Sequence, residues 1–258
     1  MSAKDHGSAA PGTVTRRSMI GALGVAGLAG LTGGCVMRGE TQRSPTKPAE
    51  TTKVTPAPTQ TAMGPPVDPG ADLAPDLVDL ARFDPRLKLD LRYATAANFM
   101  GRVLYPVARA LAQRPVAEAL TRVQTRAEAA GYGLLIFDAY RPWHVTKMMW
   151  DETPPAQREF VANPAKGSRH NRGCSIDLSL HRGGVEVVMP SPFDDFTPAA
   201  YRSNTSAPPE ALAASKLLTE MMVAEGFKTI PHEWWHFDWA EWSRYPIMDV
   251  PLDVITAG

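Results

Sequence analysis

The chain has 258 residues, of which 44% are hydrophobic, and its 27 basic side chains balance 27 acidic ones. This hydrophobic content is ordinary for a globular protein. The balanced charge excludes an electrostatic case for nucleic-acid binding or for a polybasic membrane contact.

The first 34 residues have the pattern of an export signal. Paired arginines, Arg16 and Arg17, precede an uncharged run that extends from Ser18 to Met37 and is rich in Gly and Ala. Only about seventeen residues of this run come before Cys35, whereas a spanning helix needs ~20 strongly apolar residues. The pattern predicts a twin-arginine-type secretory signal over residues 1–34.

Cys35 follows two small residues, Gly33 and Gly34, as in a lipoprotein cleavage box, although Thr32 stands where a larger aliphatic residue is commoner. We therefore expect an acylated Cys35 and an exported, membrane-anchored protein of the cell envelope, with this lipid as its only membrane contact. The alternative is an uncleaved N-terminal anchor. If Cys35 is lipidated, the second cysteine, Cys174, has no partner for an intramolecular disulfide.

Residues 35–71 are predicted to be a tether. Between residues 41 and 70 there are seven Pro, seven Thr and no aromatic residue. Such a composition buries too little apolar surface to offset its ordering entropy, although an ordered Pro-rich arm packed on the domain remains the alternative. Regular apolar positions begin near Asp72 and predict one domain over 72–250, followed by a tail, 251–258.

The first half of this domain contains three predicted elements. Residues 88–93 alternate and end in an aromatic residue, which predicts a strand. Residues 115–131 predict a helix, with Pro115 in its first turn and Gly131 at its C-terminal cap. Residues 132–142 predict a buried strand that leads into a loop.

The second half adds three strands, two of which can form a hairpin, and one helix. Residues 174–182 alternate as a strand, and 184–190 can pair with it across Gly183-Gly184. Residues 209–226 predict a helix, and 233–239 a strand. Because helices and strands are grouped rather than alternating, we expect a single α+β domain with a central antiparallel sheet flanked by helices.

His170 and Asp177 are seven residues apart in the motif SRHNRGCSIDLSL. Imidazole and carboxylate are both zinc ligands, and a catalytic zinc site needs three protein ligands and an open position. A turn followed by a strand can bring this pair to one metal ion. Taken alone, the pair is a weak signal and favours the alternative of a solvated loop histidine and a carboxylate at a strand end.

The segment HEWWH, from His232 to His236, matches a zinc-protease helix letter for letter. However, the preceding helix ends at Gly226 and the dense aromatic residues favour a strand. Along a strand the two histidines would stand ~13 Å apart, too far to share one ion. We therefore predict that, of these two histidines, only His236 is a metal ligand. We also predict that Glu233 is the general base, with a surface glutamate as the alternative.

Five segments together resemble the D-alanyl-D-alanine dipeptidases of the vancomycin-resistance (VanX) type, within the zinc D,D-peptidase superfamily (peptidase family M15). They lie between Leu89 and Trp239 and read DLRYATAANFMG, DAYRP, SRHNRGCSIDL, PFDDF and EWWH. The resemblance implies a Hedgehog/DD-peptidase-like fold and one Zn²⁺ per chain. It also implies hydrolysis of D-Ala-D-Ala in peptidoglycan metabolism.

By this resemblance, His170, Asp177 and His236 match the zinc ligands, and Glu233 matches the catalytic base. Arg141, in DAYRP, matches the arginine that stabilises the charge developing on the scissile carbonyl oxygen. The alternative for Arg141 is a structural salt bridge, for instance to a neighbouring aspartate, Asp138.

The resemblance also implies a small pocket that recognises both ends of a dipeptide. Asp194 would pair with the substrate ammonium group, and Tyr93 and Ser168 would donate hydrogen bonds, although Asp194 also fits a surface acidic turn. Cys174 stands where we expect Ser or Ala, and a small buried filler is the simplest interpretation.

Two alternatives to a dipeptidase follow from these expectations. One is a D,D-carboxypeptidase that trims peptidoglycan stem peptides, because an exported enzyme would meet stem termini as well as the free dipeptide. The other is a cell-wall binding module that keeps the metal without catalysis. The sequence makes no prediction of oligomeric state.

Overall fold

The computed structural model describes residues 64–256. The predicted signal, Cys35 and most of the predicted tether lie outside the described residues. Within the described part of the chain, no helix combines the length and hydropathy that a bilayer-spanning segment needs.

Eight strands and four α-helices follow one another along the described chain. They are β1 (Leu77–Asp79), α1 (Leu80–Phe83), β2 (Lys88–Leu89), β3 (Leu111–Gln113), α2 (Arg114–Ala129), β4 (Gly133–Asp138), α3 (Trp143–Glu152), β5 (Ser175–Arg182), β6 (Val185–Glu186), α4 (Pro209–Ala224), β7 (Phe227–Thr229) and β8 (His236–Trp239).

Six of these strands form the central sheet, in the order β2-β4-β5-β8-β7, with β6 paired to β5. All neighbours are antiparallel except β2 and β4, which are parallel. A second, two-stranded sheet pairs β1 with β3. The architecture confirms the predicted α+β class, and the hairpin across Gly183-Gly184 forms as expected.

Helices α2 and α4 pack against each other and against the central sheet. In α2, Val116, Leu120, Val123 and Ala127 are fully buried, as their helical spacing predicts. Gly131, just beyond the helix, has a φ of 80°. This left-handed conformation strongly favours glycine and ends the helix.

Strand β5 separates the hydrophobic core from the polar face of the sheet. Successive side chains of a strand point to opposite faces. Ile176, Leu178 and Leu180 therefore enter the main hydrophobic cluster. Asp177, of opposite parity, lies buried on the other face together with polar Ser175. The candidate site is built on this second face.

Three neighbouring strands carry a row of polar residues across that face. Asp138 on β4 is the register partner of Asp177 on β5, after a bulge at the end of β4. Asp177 is in turn the partner of His236 on β8. The sheet register therefore brings together residues that are distant in sequence.

Several predicted boundaries change in the structure. The strand predicted over 88–93 ends at Leu89, and a 3₁₀ turn covers Arg92–Ala94. The Tyr93 carbonyl in that turn accepts hydrogen bonds from two backbone N–H groups of a later loop, so the chain bends away from the sheet. The strand predicted over 233–239 begins only at His236.

Both ends of the described chain contact the domain. Asp68, in the predicted tether, pairs with the buried Arg172 at 2.5 Å. In the predicted tail, Leu252 is buried, and its carbonyl accepts a hydrogen bond from Arg109 at 2.9 Å. The compact part of the chain thus includes residues on either side of 72–250.

Candidate active site

His170, Asp177 and His236 are buried and each offers one ligand atom to a common point. His170 Nε2 lies 3.2 Å from His236 Nδ1 and 3.3 Å from an Asp177 carboxylate oxygen. His236 Nδ1 lies 2.9 Å from the other oxygen of Asp177. The structure thus brings together the three predicted ligands.

The partners of the outward-facing ring nitrogens define how each imidazole is oriented. His170 Nδ1 donates to the carbonyl of Ala139 at 2.7 Å, and His236 Nε2 donates to the carboxylate of Asp238 at 2.8 Å. In neutral rings, the two nitrogens that face each other are then both acceptors. Two lone pairs beside a carboxylate repel one another, so the cluster calls for a cation.

Zinc fits this donor set. A tetrahedral zinc ion with ordinary bond lengths separates its ligand atoms by roughly 3.3 Å. The three side chains approach one another at 2.9, 3.2 and 3.3 Å, the 2.9 and 3.3 Å contacts being made by different oxygens of Asp177, and one ligand atom from each side chain lies within 4.8 Å of the others. Three protein ligands also leave a fourth position open, which is the arrangement of catalytic rather than structural zinc sites.

A short rigid loop holds His170. The residue begins a 3₁₀ turn that ends at Gly173, whose φ is 66°. A side chain at Gly173 would come within 2.6 Å of Leu77. Asn171, which is fully buried, accepts from the Ser168 backbone and donates to the carbonyl of Arg141. Gly173 and the hydrogen bonds of Asn171 therefore fix the conformation of this loop. The loop in turn sets how far His170 lies from strand β5.

Glu233 lies directly beside the cluster. One of its carboxylate oxygens is 3.7 Å from His236 Nδ1, and the residue is only 9% exposed. Burial raises the pKa of Glu233 from 4.5 to about 7. A carboxyl group with such a pKa exchanges protons readily near neutral pH. The alternative of a surface glutamate is wrong.

The segment from His232 to His236 is not a helix. A turn at residues 231 and 232 leads through Glu233 into strand β8. His232 stays outside the cluster: its half-buried ring makes an edge contact with Phe160, with ring centroids 6.2 Å apart. The prediction that only one histidine of HEWWH joins the site agrees with this geometry.

Arg141 lines the cavity, as an oxyanion-stabilising residue must, and also forms the salt bridge to Asp138 that was the alternative interpretation. Its Nε and Nη2 atoms lie 3.0 and 2.8 Å from the same oxygen of Asp138, so the salt bridge exists. The same guanidinium stacks over the Tyr93 ring at 5.0 Å and lies 3.7 Å from Asp177. It therefore faces the cavity while Asp138 holds it.

Asp194 and Tyr93 form a second polar pair in the cavity. Tyr93 donates to Asp194 Oδ1 at 3.0 Å, whereas Oδ2 is buried without a hydrogen-bond partner among the described residues. Burial raises the pKa of Asp194 to about 8. Its φ of 61° is the only positive value of a described non-glycine residue. A cationic donor from a ligand in the cavity would favour the ionised form of Asp194 and would pair with Oδ2.

Ser168 lines the cavity, and its role as a pocket donor stays a prediction. Its Oγ accepts from the His170 backbone at 3.2 Å, so it supports the ligand loop while also lining the cavity. Cys174 is fully buried outside the cluster, and burial raises the pKa of its thiol. The interpretation of Cys174 as a small buried filler agrees with its surroundings.

The three cluster residues, Glu233, Arg141, Asp194, Tyr93 and Ser168 all line one cavity of about 420 Å³. Phe99, Phe160 and Phe196 form an aromatic wall on it, with ring centroids 4.7 and 5.0 Å apart. A concave site in which an aromatic wall meets convergent polar groups suits a small ligand.

Sequence reasoning found only part of the support of the site. It named Asp138 as a possible salt-bridge partner of Arg141, but it gave no role to Asp238, which contacts His236. The signals were available: Asp138 stands three residues before Arg141, and Asp238 shares the strand face of His236.

The fold and site define a class of enzyme. An α+β domain that combines a His₂Asp cluster, a buried glutamate and an arginine in one cavity has the arrangement of a zinc metallopeptidase. Comparison with known proteins specifies the family: the Peptidase_M15 family model, described as D-ala-D-ala dipeptidase, matches residues 74–250. The chain belongs to this family of zinc metallopeptidases.

Two curated relatives carry the same description as the family, and one solved structure is similar to part of the chain. The D-alanyl-D-alanine dipeptidase of Escherichia coli K12 is 36% identical over 174 residues, which is 67% of this chain and 89% of the relative. The Enterococcus faecalis dipeptidase is 30% identical, over 58% of this chain and 85% of its own. A structure of VanYB in complex with D-alanine-D-alanine aligns at 15% identity and a TM-score of 0.36, covering 53% of this chain and 76% of that one.

Proposed function

We propose that this protein hydrolyses D-alanyl-D-alanine in peptidoglycan metabolism, as a zinc-dependent D,D-dipeptidase. One observation carries the proposal: three ligand atoms within 4.8 Å of one another share a cavity with a buried glutamate. The family of the chain supplies the substrate class, since the family model and curated relatives carry this activity in their descriptions.

His170, Asp177 and His236 would hold the ion. When bound, zinc would polarise a carbonyl group and lower the pKa of a bound water molecule towards neutrality. The buried second partners, Ala139 and Asp238, keep both imidazoles in the orientation that the ligands need.

Glu233 transfers the proton. Its carboxylate faces the cluster at 3.7 Å from His236, so it can take a proton from the attacking water. It then delivers that proton to the nitrogen of the leaving D-alanine. A pKa near neutrality suits both steps, because the group must accept a proton and release it within one cycle.

Arg141 stabilises the oxyanion. The guanidinium is held by Asp138 and by the Tyr93 ring before any substrate arrives. A donor that is already oriented costs no reorganisation when charge develops, and oxyanion donors are worth about 3–4 kcal/mol.

Asp194 recognises the free amino group of the substrate. Asp194 lines the cavity and its Oδ2 has no hydrogen-bond partner among the described residues, so an ammonium group beside it would give it a charge-assisted hydrogen bond. This feature favours a dipeptidase over a carboxypeptidase, because an acylated substrate has no ammonium group at that position.

A substrate comparison tests the choice. Purified enzyme is given free D-Ala-D-Ala and, separately, an N-acylated tripeptide that ends in D-Ala-D-Ala, and released D-alanine is measured. We expect cleavage of the free dipeptide. If only the acylated peptide is cut, the protein is a D,D-carboxypeptidase.

The Glu233→Ala variant tests whether the protein is an enzyme rather than a metal-containing binding module. Hydrolysis of the dipeptide should vanish while one zinc ion per chain stays bound. Undiminished turnover in this variant contradicts the mechanism.

We also propose that the enzyme is exported and anchored at the cell envelope through a lipid on Cys35. The twin-arginine pattern and the small residues before Cys35 support this location. Labelling with a radioactive fatty acid should mark the wild type and not Cys35→Ala. Export should fail when Arg16 and Arg17 are both replaced by Lys.

A further inference from the structure

Asp238 lies behind the metal cluster, on the same strand face as His236. Its Oδ1 accepts from His236 Nε2 at 2.8 Å and from the hydroxyl of Ser175 at 2.6 Å. Asp238 is itself 4% exposed. A buried carboxylate is costly unless it is paired, so this one needs its partners.

Arg169 supplies the charge partner from the rim of the cavity. Its guanidinium lies 3.1 Å from Asp238 Oδ2 and stacks over the Trp242 ring at 4.8 Å. Both oxygens of Asp238 are therefore engaged, one by Ser175 and His236 and the other by Arg169. The carboxylate has a single orientation relative to the imidazole.

We propose that Asp238 is a positioning residue of the metal centre, and that Arg169 and Ser175 hold it in place. It acts through His236: by accepting from Nε2–H it selects the tautomer in which Nδ1 keeps a free lone pair for the metal. It also makes that nitrogen a stronger ligand, because a carboxylate partner increases the electron density of the ring.

Asp177 competes with Asp238 as a hydrogen-bond partner of His236. Without Asp238, the ring could place its proton on Nδ1 and donate it to Asp177, which lies 2.9 Å from that atom. In that tautomer His236 Nδ1 carries a proton and cannot bind the metal. The oxygen of Asp177 that accepts this proton is occupied by the same hydrogen bond. The Asp238 carboxylate opposes this self-blocked arrangement.

The test measures zinc affinity of the full chain by competition with a chelating dye, which is independent of substrate. We expect Asp238→Ala to weaken zinc binding about 10- to 100-fold, as loss of such partners does elsewhere. Asp238→Asn keeps an acceptor oxygen without the charge and should be intermediate. Arg169→Ala should weaken binding less than Asp238→Ala.

A matched control separates positioning from folding. Asp84 is likewise 4% exposed and pairs with an arginine, Arg86, at 2.7 Å, but contacts no ligand. Asp84→Ala should lower stability and leave zinc affinity unchanged. In Co²⁺-substituted protein, the visible spectrum should change for Asp238→Asn and not for Asp84→Ala.

The outcomes are distinct. Wild-type zinc affinity and an unchanged cobalt spectrum in Asp238→Asn overturn the proposal, even if Asp238→Ala fails to fold. The inference rests on the metal site of the proposed function, but its failure is separable: unaltered zinc binding in the variants refutes the positioning role while dipeptide hydrolysis stands. Weakened zinc binding in a protein that cuts no dipeptide supports the positioning role and refutes the function.

Discussion

Asp138 holds Arg141 through a single carboxylate oxygen, which lies 3.0 Å from Nε and 2.8 Å from Nη2. The second oxygen of Asp138 accepts from the Tyr105 hydroxyl at 2.7 Å. The arginine is therefore anchored along one edge, and the remainder of its planar group can face the cavity. A lysine at this position cannot reproduce that geometry, because its ammonium is a point charge without a rigid fork.

We expect Arg141→Lys and Arg141→Ala to lower kcat about 10²- to 10³-fold, the cost of removing an oxyanion donor. Zinc affinity should change little because Arg141 is not a ligand. Steady-state kinetics and metal analysis check both points. Arg102→Ala, which removes an exposed ion pair with Glu152, is the control and should retain activity. Near-normal kcat in Arg141→Ala would refute the role.

The activity should depend on the protonation of Glu233. Burial raises its pKa to about 7, and a bound dication favours the ionised form and lowers that value. Since the base must be ionised, kcat/KM should fall as pH decreases, with a midpoint at or below about 7. A pH–rate profile between 5 and 9 measures this limb. An acid limb centred above pH 8 would exclude Glu233 as its source.

The same carboxylate should destabilise the metal-free fold at high pH. The pKa of Glu233 is higher in the folded chain than its ordinary 4.5, so the folded state binds the proton more tightly. The stability that this provides is complete below pH 4.5 and is lost as pH rises to about 7. Removing the charge by Glu233→Gln should therefore stabilise metal-free protein at pH 8 by up to about 3 kcal/mol.

Urea unfolding of metal-free wild type and Glu233→Gln, at pH 8 and at pH 5, provides the measurement. The gain should shrink at the lower pH, where the wild-type carboxyl is largely protonated. An equal gain at both pH values would show that the charge is not its cause.

The two histidines of HEWWH should behave differently. His232 packs on Phe160 away from the cluster, so His232→Ala should keep zinc and most activity. His170→Ala removes a cluster ligand and should lose both. Metal content after dialysis distinguishes them. Loss of zinc in His232→Ala would mean that the segment binds metal as a helical motif after all.

Asp194→Asn tests recognition of the substrate amino group. Hydrogen bonds to charged groups are worth about 1.5–3 kcal/mol, so KM for D-Ala-D-Ala should rise roughly 10- to 100-fold. The neighbouring Asp195→Asn is the control, since Asp195 does not line the cavity. An unchanged KM in Asp194→Asn would place the ammonium group elsewhere.

The sequence predicted the elements that local patterns determine. The apolar face of α2, the strand at β5 and the non-helical HEWWH all follow from periodicity and from glycine or proline positions. Helix α3 was missed, although Val145 and Met149 in it are helically spaced and buried, because it begins directly after Pro142. Strand β7 was missed because its three residues are indistinguishable from a turn.

Contacts between distant segments explain the rest. Nothing in the sequence pairs Asp68 with Arg172, since 104 positions separate them in the numbering of the chain. The neighbours of Asp194 are likewise set by tertiary packing. By contrast, the ligand types and short spacing of His170 and Asp177 gave a local signal, and the resemblance to the dipeptidases supplied their assignment as ligands. Their roles, and those of Glu233 and Arg141, stay predictions until the variants are measured.

The row of residues across β4, β5 and β8 has a consequence for the order of folding. His170 and Asp177 are neighbours in sequence, so a turn and one strand suffice to form two-thirds of the metal site. His236 reaches them only when β8 pairs with β5 in the correct register. A shift by one residue would turn its side chain towards the core. Full metal affinity therefore indicates that β8 has paired with β5 in the correct register. Because zinc binds such chains more tightly, it stabilises the correctly paired sheet.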